Sequence, residues 1–155
     1  GFCIELAQDI TRDPASYESF SLDGKWGFST YRVQLMASLF DTYYSDVIAS
    51  KSDAKSSAFQ MMVWELTHEN FSDSKNARAE ISLSNGATQF EGYSVEAGVV
   101  FSEMQDQLMY QLDTSRLNGL RNENYQDFVT YQVPGPSAIA LSGIALLMGR
   151  SRRRR

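Results

Sequence analysis

The sequence predicts an α+β fold: about three amphipathic helices packed on a small, mainly antiparallel β-sheet, with a hydrophobic helix at the C-terminus. Three observations lead there. Apolar residues recur at three- and four-residue steps in three separate stretches. Short alternating or β-rich runs lie near both ends of the chain. There is no internal repeat, and the only low-complexity tract is the terminal arginines.

Taken in order, residues 2–8 alternate apolar and polar over part of their length and read as a strand. Residues 9–28 are turn-rich, with Asp13-Pro14 and Asp23-Gly24 as breakers. From Thr30 to about Ser50, Val33, Met36, Phe40, Tyr43 and Val47 form one apolar stripe, which predicts a helix. A second helix runs to His68, with Ser52 or Asp53 as N-cap and Phe59, Met62, Val63 and Leu66 as its core stripe. Residues 79–83 and 88–93 read as short strands joined by a hairpin turn at Ser84-Asn85-Gly86. A third helix is expected from Val95 to about Leu112, with Val100, Phe101, Met104 and Leu108 inward. Residues 113–125 are a polar connection, and residues 125–133 suit a last strand.

The end of the chain sets the compartment. Val133, Pro134, Gly135 and Pro136 precede an uncharged run over residues 137–149, which opens at Ser137 and closes at Gly149. Arg150, Ser151, Arg152, Arg153, Arg154 and Arg155 follow. The run is 13 residues long, whereas a full bilayer span needs roughly 20. Its apolar character extends all round, and a cationic cluster abutting it stays on the cytoplasmic side. A C-terminal core helix with a frayed basic end is the plainer reading. The three ordered elements resemble the PEP-CTERM sorting signal of bacteria, whose Val-Pro-x-Pro motif precedes a short membrane helix and an arginine run. Gly135 departs from the glutamate of the most familiar version. The resemblance implies residues 133–155 as a sorting and anchoring segment, processed by a membrane-embedded exosortase, after a globular domain over residues 1–132. Export in turn implies a leader before Gly1, removed or lying upstream.

Charge and cysteine usage narrow the partners. All 19 acidic residues precede position 133, against nine basic ones, so the body carries a net charge of −10. A nucleic-acid partner would need a basic face, so none is expected. The single cysteine, Cys3, has no partner for an internal disulfide. Histidine and cysteine clusters for a metal are missing, and no glycine loop is built to cradle phosphate, so neither metal nor cofactor is expected.

Two segments carry chemistry. Phe2-Cys3-Ile4-Glu5-Leu6 lies on the first strand, and Gln60-Met61-Met62-Val63-Trp64-Glu65 on the second helix. They resemble the two halves of bacterial thioester domains, in which a strand cysteine is joined to a helix glutamine. Met62 stands where alanine is usual, and Phe59 replaces the threonine before the glutamine. The resemblance implies Cys3 and Gln60 as the thioester pair, with Glu5 and Trp64 in its environment and Trp64 shielding the bond. Such a bond is an activated acyl group that a surface amine could capture, for attachment to a cell surface or an extracellular polymer. The resemblance thus implies an adhesive surface protein, and no enzymatic activity is expected. Backbone donors near the start of the helix are expected to help.

Plainer readings stand beside these. Cys3 can be an inert buried thiol, Gln60 an ordinary helix residue, and Trp64 a core aromatic. Glu5 and Glu65 are most simply solvated or hydrogen-bonded. A non-covalent structural or exopolysaccharide-associated matrix protein with the same sorting tail is the alternative function. A Cys3–His68 hydrolase dyad lacks a visible third member. Ser52-Asp53-Ala54-Lys55 matches a serine–lysine spacing without companion motifs.

Overall fold

The computed structural model describes residues 1–4, 16–22 and 27–133, and it places the helical stripes on helices. In chain order the elements are β1 (Phe2–Cys3), β2 (Glu18–Phe20), α1 (Thr30–Ser50), α2 (Asp53–His68), α3 (Ala77–Glu80), α4 (Val95–Gln107), β3 (Leu117–Arg121) and β4 (Phe128–Tyr131). The architecture among the described residues is α+β, with four helices and one four-stranded sheet. The strand order is β1-β4-β3-β2 and every pairing is antiparallel. The motif residues Pro134, Gly135 and Pro136, the apolar run and the arginines lie outside the described residues, as does Glu5. No helix among the described residues is long and apolar enough to cross a membrane.

Helix α2 is the centre of the packing, touching α1, α4 and β1. Its stripe residues Phe59, Met62, Val63 and Leu66 are all fully buried. The α1 residues Val33, Met36, Phe40 and Val47 are buried too, with Tyr43 only partly covered. The sheet joins the helices through tilted and edge-on rings. Phe2 of β1 sits 4.4 Å from Phe59, and Tyr131 of β4 sits 5.8 Å from Phe40, centroid to centroid. Phe40 and Phe59 meet edge to face at 4.9 Å. Offset and edge-on ring pairs of this kind add to the transfer of apolar surface from water.

Helices α2 and α4 have side-chain caps at their N-termini. The Ser52 hydroxyl accepts from the Lys55 N–H and the Ser94 hydroxyl from the Ala97 N–H, satisfying donors that a helix start leaves unpaired. Only residues 51 and 52 separate α1 from α2, and the reversal puts Lys51 in the left-handed region at φ 51°. At the other end of α2, the Arg32 guanidinium donates to the carbonyls of Leu66 (3.1 Å), Thr67 (3.3 Å) and Glu69. A cation there complements both the orphan carbonyls and the helix dipole.

The structure departs from the sequence reading in four places. Residues 79–83 and 88–93 do not form a strand hairpin; α3 occupies the start of the segment and a loop follows. One link, Phe90 N–H to the Leu83 carbonyl at 2.9 Å, joins the two expected strands. Other main-chain donors of the segment are taken by carboxylates of α2 and the residue capping it, so a ladder has no use for them. The turn signal itself was sound, since Gly86 has φ +101°. Helix α4 ends at Gln107, not near Leu112. There the Ser38 hydroxyl of α1 captures the Met109 N–H at 3.0 Å, and Arg78 holds the Leu108 carbonyl at 3.0 Å. Val100 is only partly covered, whereas Phe101, Met104 and Leu108 are buried as expected. Strands β2 and β3 arise in segments read as turn and polar connection. Their contact requires a bare backbone: a Cβ on Gly119 would lie 2.4 Å from the Phe20 ring.

Phe59→Ala removes the ring at the meeting point of β1, α1 and α2. It is expected to cost about 3–5 kcal/mol, read as a lowered urea midpoint.

Candidate functional site

Strand β1 pairs with β4 on one side, with Cys3 opposite Phe128. On its other side the main chain of Cys3 meets a side chain. The Cys3 N–H donates to Gln60 Oε1 at 3.1 Å, and Gln60 Nε2 donates to the Cys3 carbonyl at 2.7 Å. A primary amide carries a donor and an acceptor at the spacing of a peptide group, so Gln60 pairs with Cys3 as a neighbouring strand would. Chain direction beyond Cys3 is fixed by the Ile4 N–H bond to the Asp127 carbonyl (3.0 Å). On the α2 side, His68 Nε2 lies 2.7 Å from the Ile4 carbonyl. Gln60 and His68 are eight residues apart on α2, so one face of that helix grips two consecutive residues of the chain.

The two residues that the thioester resemblance singles out are therefore in contact, although 57 positions separate them. The donor near Gln60 Oε1 belongs to Cys3 itself. Gln60 is the eighth residue of α2, beyond the first turn where unpaired helix N–H groups lie, so the expectation of help from the helix start is corrected. Cys3 is half-buried, and burial pushes its thiol up from the ordinary value. His68 is engaged with the main chain of Ile4, next to Cys3, which gives its ring a bracing role.

Trp64, one turn after Gln60, stacks on Phe90 with ring centroids 6.1 Å apart and planes 14° from parallel. Its indole N–H is buried without a hydrogen-bond partner. Phe2, Gln60, Met61, Trp64, Phe90 and Tyr93 are among the residues lining an open cleft of about 570 Å³. Gln60 thus lies at the border between this cleft and the Cys3 main chain.

Of the two expectations for Glu65, solvated or hydrogen-bonded, the structure shows the second: the carboxylate is 0% exposed and accepts a main-chain bond. Its Oε2 accepts from the Ser82 N–H at 3.1 Å, and its Oε1 has no partner. Desolvation pushes it up to about 7, opposed by the Ser82 bond and reinforced by the nearby charge of Glu69. Glu69, capping α2, is also buried, which alone would raise its pKa. Donors from Ala87, Thr88 and Asn70, aided by Arg32, instead hold it below the usual carboxylate range. The sequence signal for Glu65 was its place in line with Ala58, Met61 and Met62, all buried on the same helix flank. Among the described residues no group of three or more His, Cys, Asp or Glu side chains could hold a metal ion. The chain matches no protein-family model, no curated protein and no solved structure.

Gln60→Ala leaves a part-buried N–H and carbonyl of Cys3 unpaired. The loss of those two hydrogen bonds is expected to lower stability by about 1–3 kcal/mol in urea unfolding.

Proposed function

We propose that this chain is an exported, surface-displayed bacterial domain in which Cys3 and Gln60 form an internal thioester for covalent attachment or adhesion. The observation that carries the reading is the reciprocal pair of hydrogen bonds between the Gln60 amide and the Cys3 main chain. That pairing holds the carboxamide beside the residue that bears the thiol, replacing a bimolecular encounter by a local one. In the step, Cys3 Sγ gives up its proton and attacks the Gln60 amide carbon. Negative charge gathers on Oε1, which already faces the Cys3 N–H. The C–N bond then breaks, and Nε2 departs with the proton as ammonia, leaving a thioester. Attack by an amine on a surface or polymer forms an amide and returns the free thiol. By the loop-entropy argument used for disulfides, a bond closing 57 positions adds about 4 kcal/mol at most to stability.

In this reading residues 133–155 deliver the domain. The Val133-Pro134-Gly135-Pro136 motif would be the region handled by an exosortase-type enzyme. Residues 137–149 would sit in the membrane, and the arginines would remain on its cytoplasmic side. Deleting residues 150–155 should leave a folded domain that no longer reaches the surface, scored by surface labelling against total protein; undiminished display would reject the sorting role.

A second reading, a non-covalent structural or exopolysaccharide-associated matrix protein with the same tail, draws on the half-buried Cys3 thiol. Raised above its ordinary pKa, it holds less thiolate at neutral pH. Intact-mass measurement separates the two. The thioester reading expects wild type to lie below the sequence mass by one ammonia, to add methylamine, and to lose both properties in Cys3→Ala. A full sequence mass, no methylamine adduct and a thiol titratable after unfolding would reject the thioester and favour the second reading.

A further inference from the structure

We propose that Glu65 is a pH-sensitive latch on the segment 82–90: uncharged, it keeps that segment docked on α2 with Phe90 at the wall of the cleft beside Gln60, and on ionisation it releases it. The segment has few anchors, and two are carboxylates of one helix end. Glu65 Oε2 receives the Ser82 N–H at 3.1 Å. Glu69 receives the Ala87 N–H at 2.9 Å and the Thr88 N–H at 3.2 Å. Gly86 allows the wrap, because its φ is +101° and a Cβ would lie 2.1 Å from Glu69 Oε2. Beyond these anchors the chain bonds back from Phe90 N–H to the Leu83 carbonyl and lays the Phe90 ring on Trp64 at the cleft wall.

Glu65 and Glu69 differ in what they can tolerate. Glu69 has three main-chain donors and the Arg32 guanidinium near it, so its charge is matched. Glu65 has one donor, Ser82, a bare Oε1, and Glu69 as the charged neighbour that acts on it. Among the described residues no basic side chain pairs with it; the ion pairs there are Lys55–Asp46 and Arg116–Asp41. An anion so placed regains water only if something moves, and the lightly held segment is the cheapest thing to move. The sign follows from an acid whose pKa in the closed state, about 7, exceeds the ordinary 4.5 it recovers on opening. Closure is then fully supported below the lower value and has lost that support once pH has passed the higher one. The latch does not depend on a bond between Cys3 and Gln60.

Amide hydrogen exchange by NMR, corrected for intrinsic rates, tests it on the intact chain. Protection of the Ser82 N–H should fall by about tenfold or more between about pH 5 and about pH 7.5 in wild type, and change less than about twofold in Glu65→Gln. The Trp64 indole resonance should shift over the same range. An equal fall in Glu65→Gln, or none in wild type, overturns the proposal. So does Ser82 protection equal to that of core Val63 at both pH values, because the segment would then open only with the whole fold. Should Glu65→Gln not fold, the carboxyl carbon of Glu65 is titrated in wild type. A midpoint near the raised value that tracks Ser82 protection supports the latch, and a midpoint in the ordinary carboxylate range overturns it.

Discussion

The amide of Gln60 against the main chain of Cys3 is the constraint on which the arrangement of sheet and helices turns. Strand β1 has only two residues, and its pairing with β4 covers one side of it. Two hydrogen bonds from a helix side chain supply what a strand this short lacks, and each would leave a partly buried peptide group unmatched if lost. Those bonds in turn set where Phe2 falls, and the Phe2 ring completes the aromatic cluster with Phe59, Phe40 and Tyr44. The polar contact and the apolar one therefore reinforce each other: the amide sets the register that brings the rings together, and the rings keep the amide out of bulk water.

The same helix end works in a like manner elsewhere. Glu65 and His68 of α2, with Glu69 capping it, each reach main-chain groups of a distant segment. Arg32 returns the favour by covering the carbonyls where α2 stops, with its guanidinium 4.8 Å from the centre of the Phe71 ring. Irregular segments have no ladder of their own, so their peptide groups must be matched by something. Here a rigid helix presents the matching groups at fixed spacing. Mechanically, the covalent reading and the latch draw on one design: α2 as a ruler carrying chemistry-bearing side chains to the backbone of β1 on one flank and of the segment 82–90 on the other.

How much of this was legible in the sequence depended on whether the signal was local. The stripes of α1 and α2 were readable because 3.6-residue periodicity marks a buried face directly, and Ser52 announced a helix start. The nearness of Cys3 and Gln60 was readable only through the resemblance of two short segments, since nothing local links positions so far apart. Strands β2 and β3 were not readable. Leu117-Asn118-Gly119-Leu120-Arg121 has few β-formers, and it is a strand because β2 and β4 flank it. The hairpin expected after residue 79 failed for a related reason. Its turn residues were right, but the acceptors for its donors came from Glu65 and Glu69, which no window over the segment itself contains. Buried Glu65 was hidden by its own chemistry, as a carboxylate normally argues for a solvated face.

One further consequence attaches to the outer side of β1. A terminal strand with bare N–H and carbonyl groups is a template on which a second molecule's strand can dock, and proteins commonly guard such borders with charge, proline or a bulge. This border is guarded by a glutamine side chain that mimics a peptide bond. Whatever draws that amide away from Cys3, whether substitution or a chemical fate of its own, leaves the Cys3 N–H and carbonyl to find other partners.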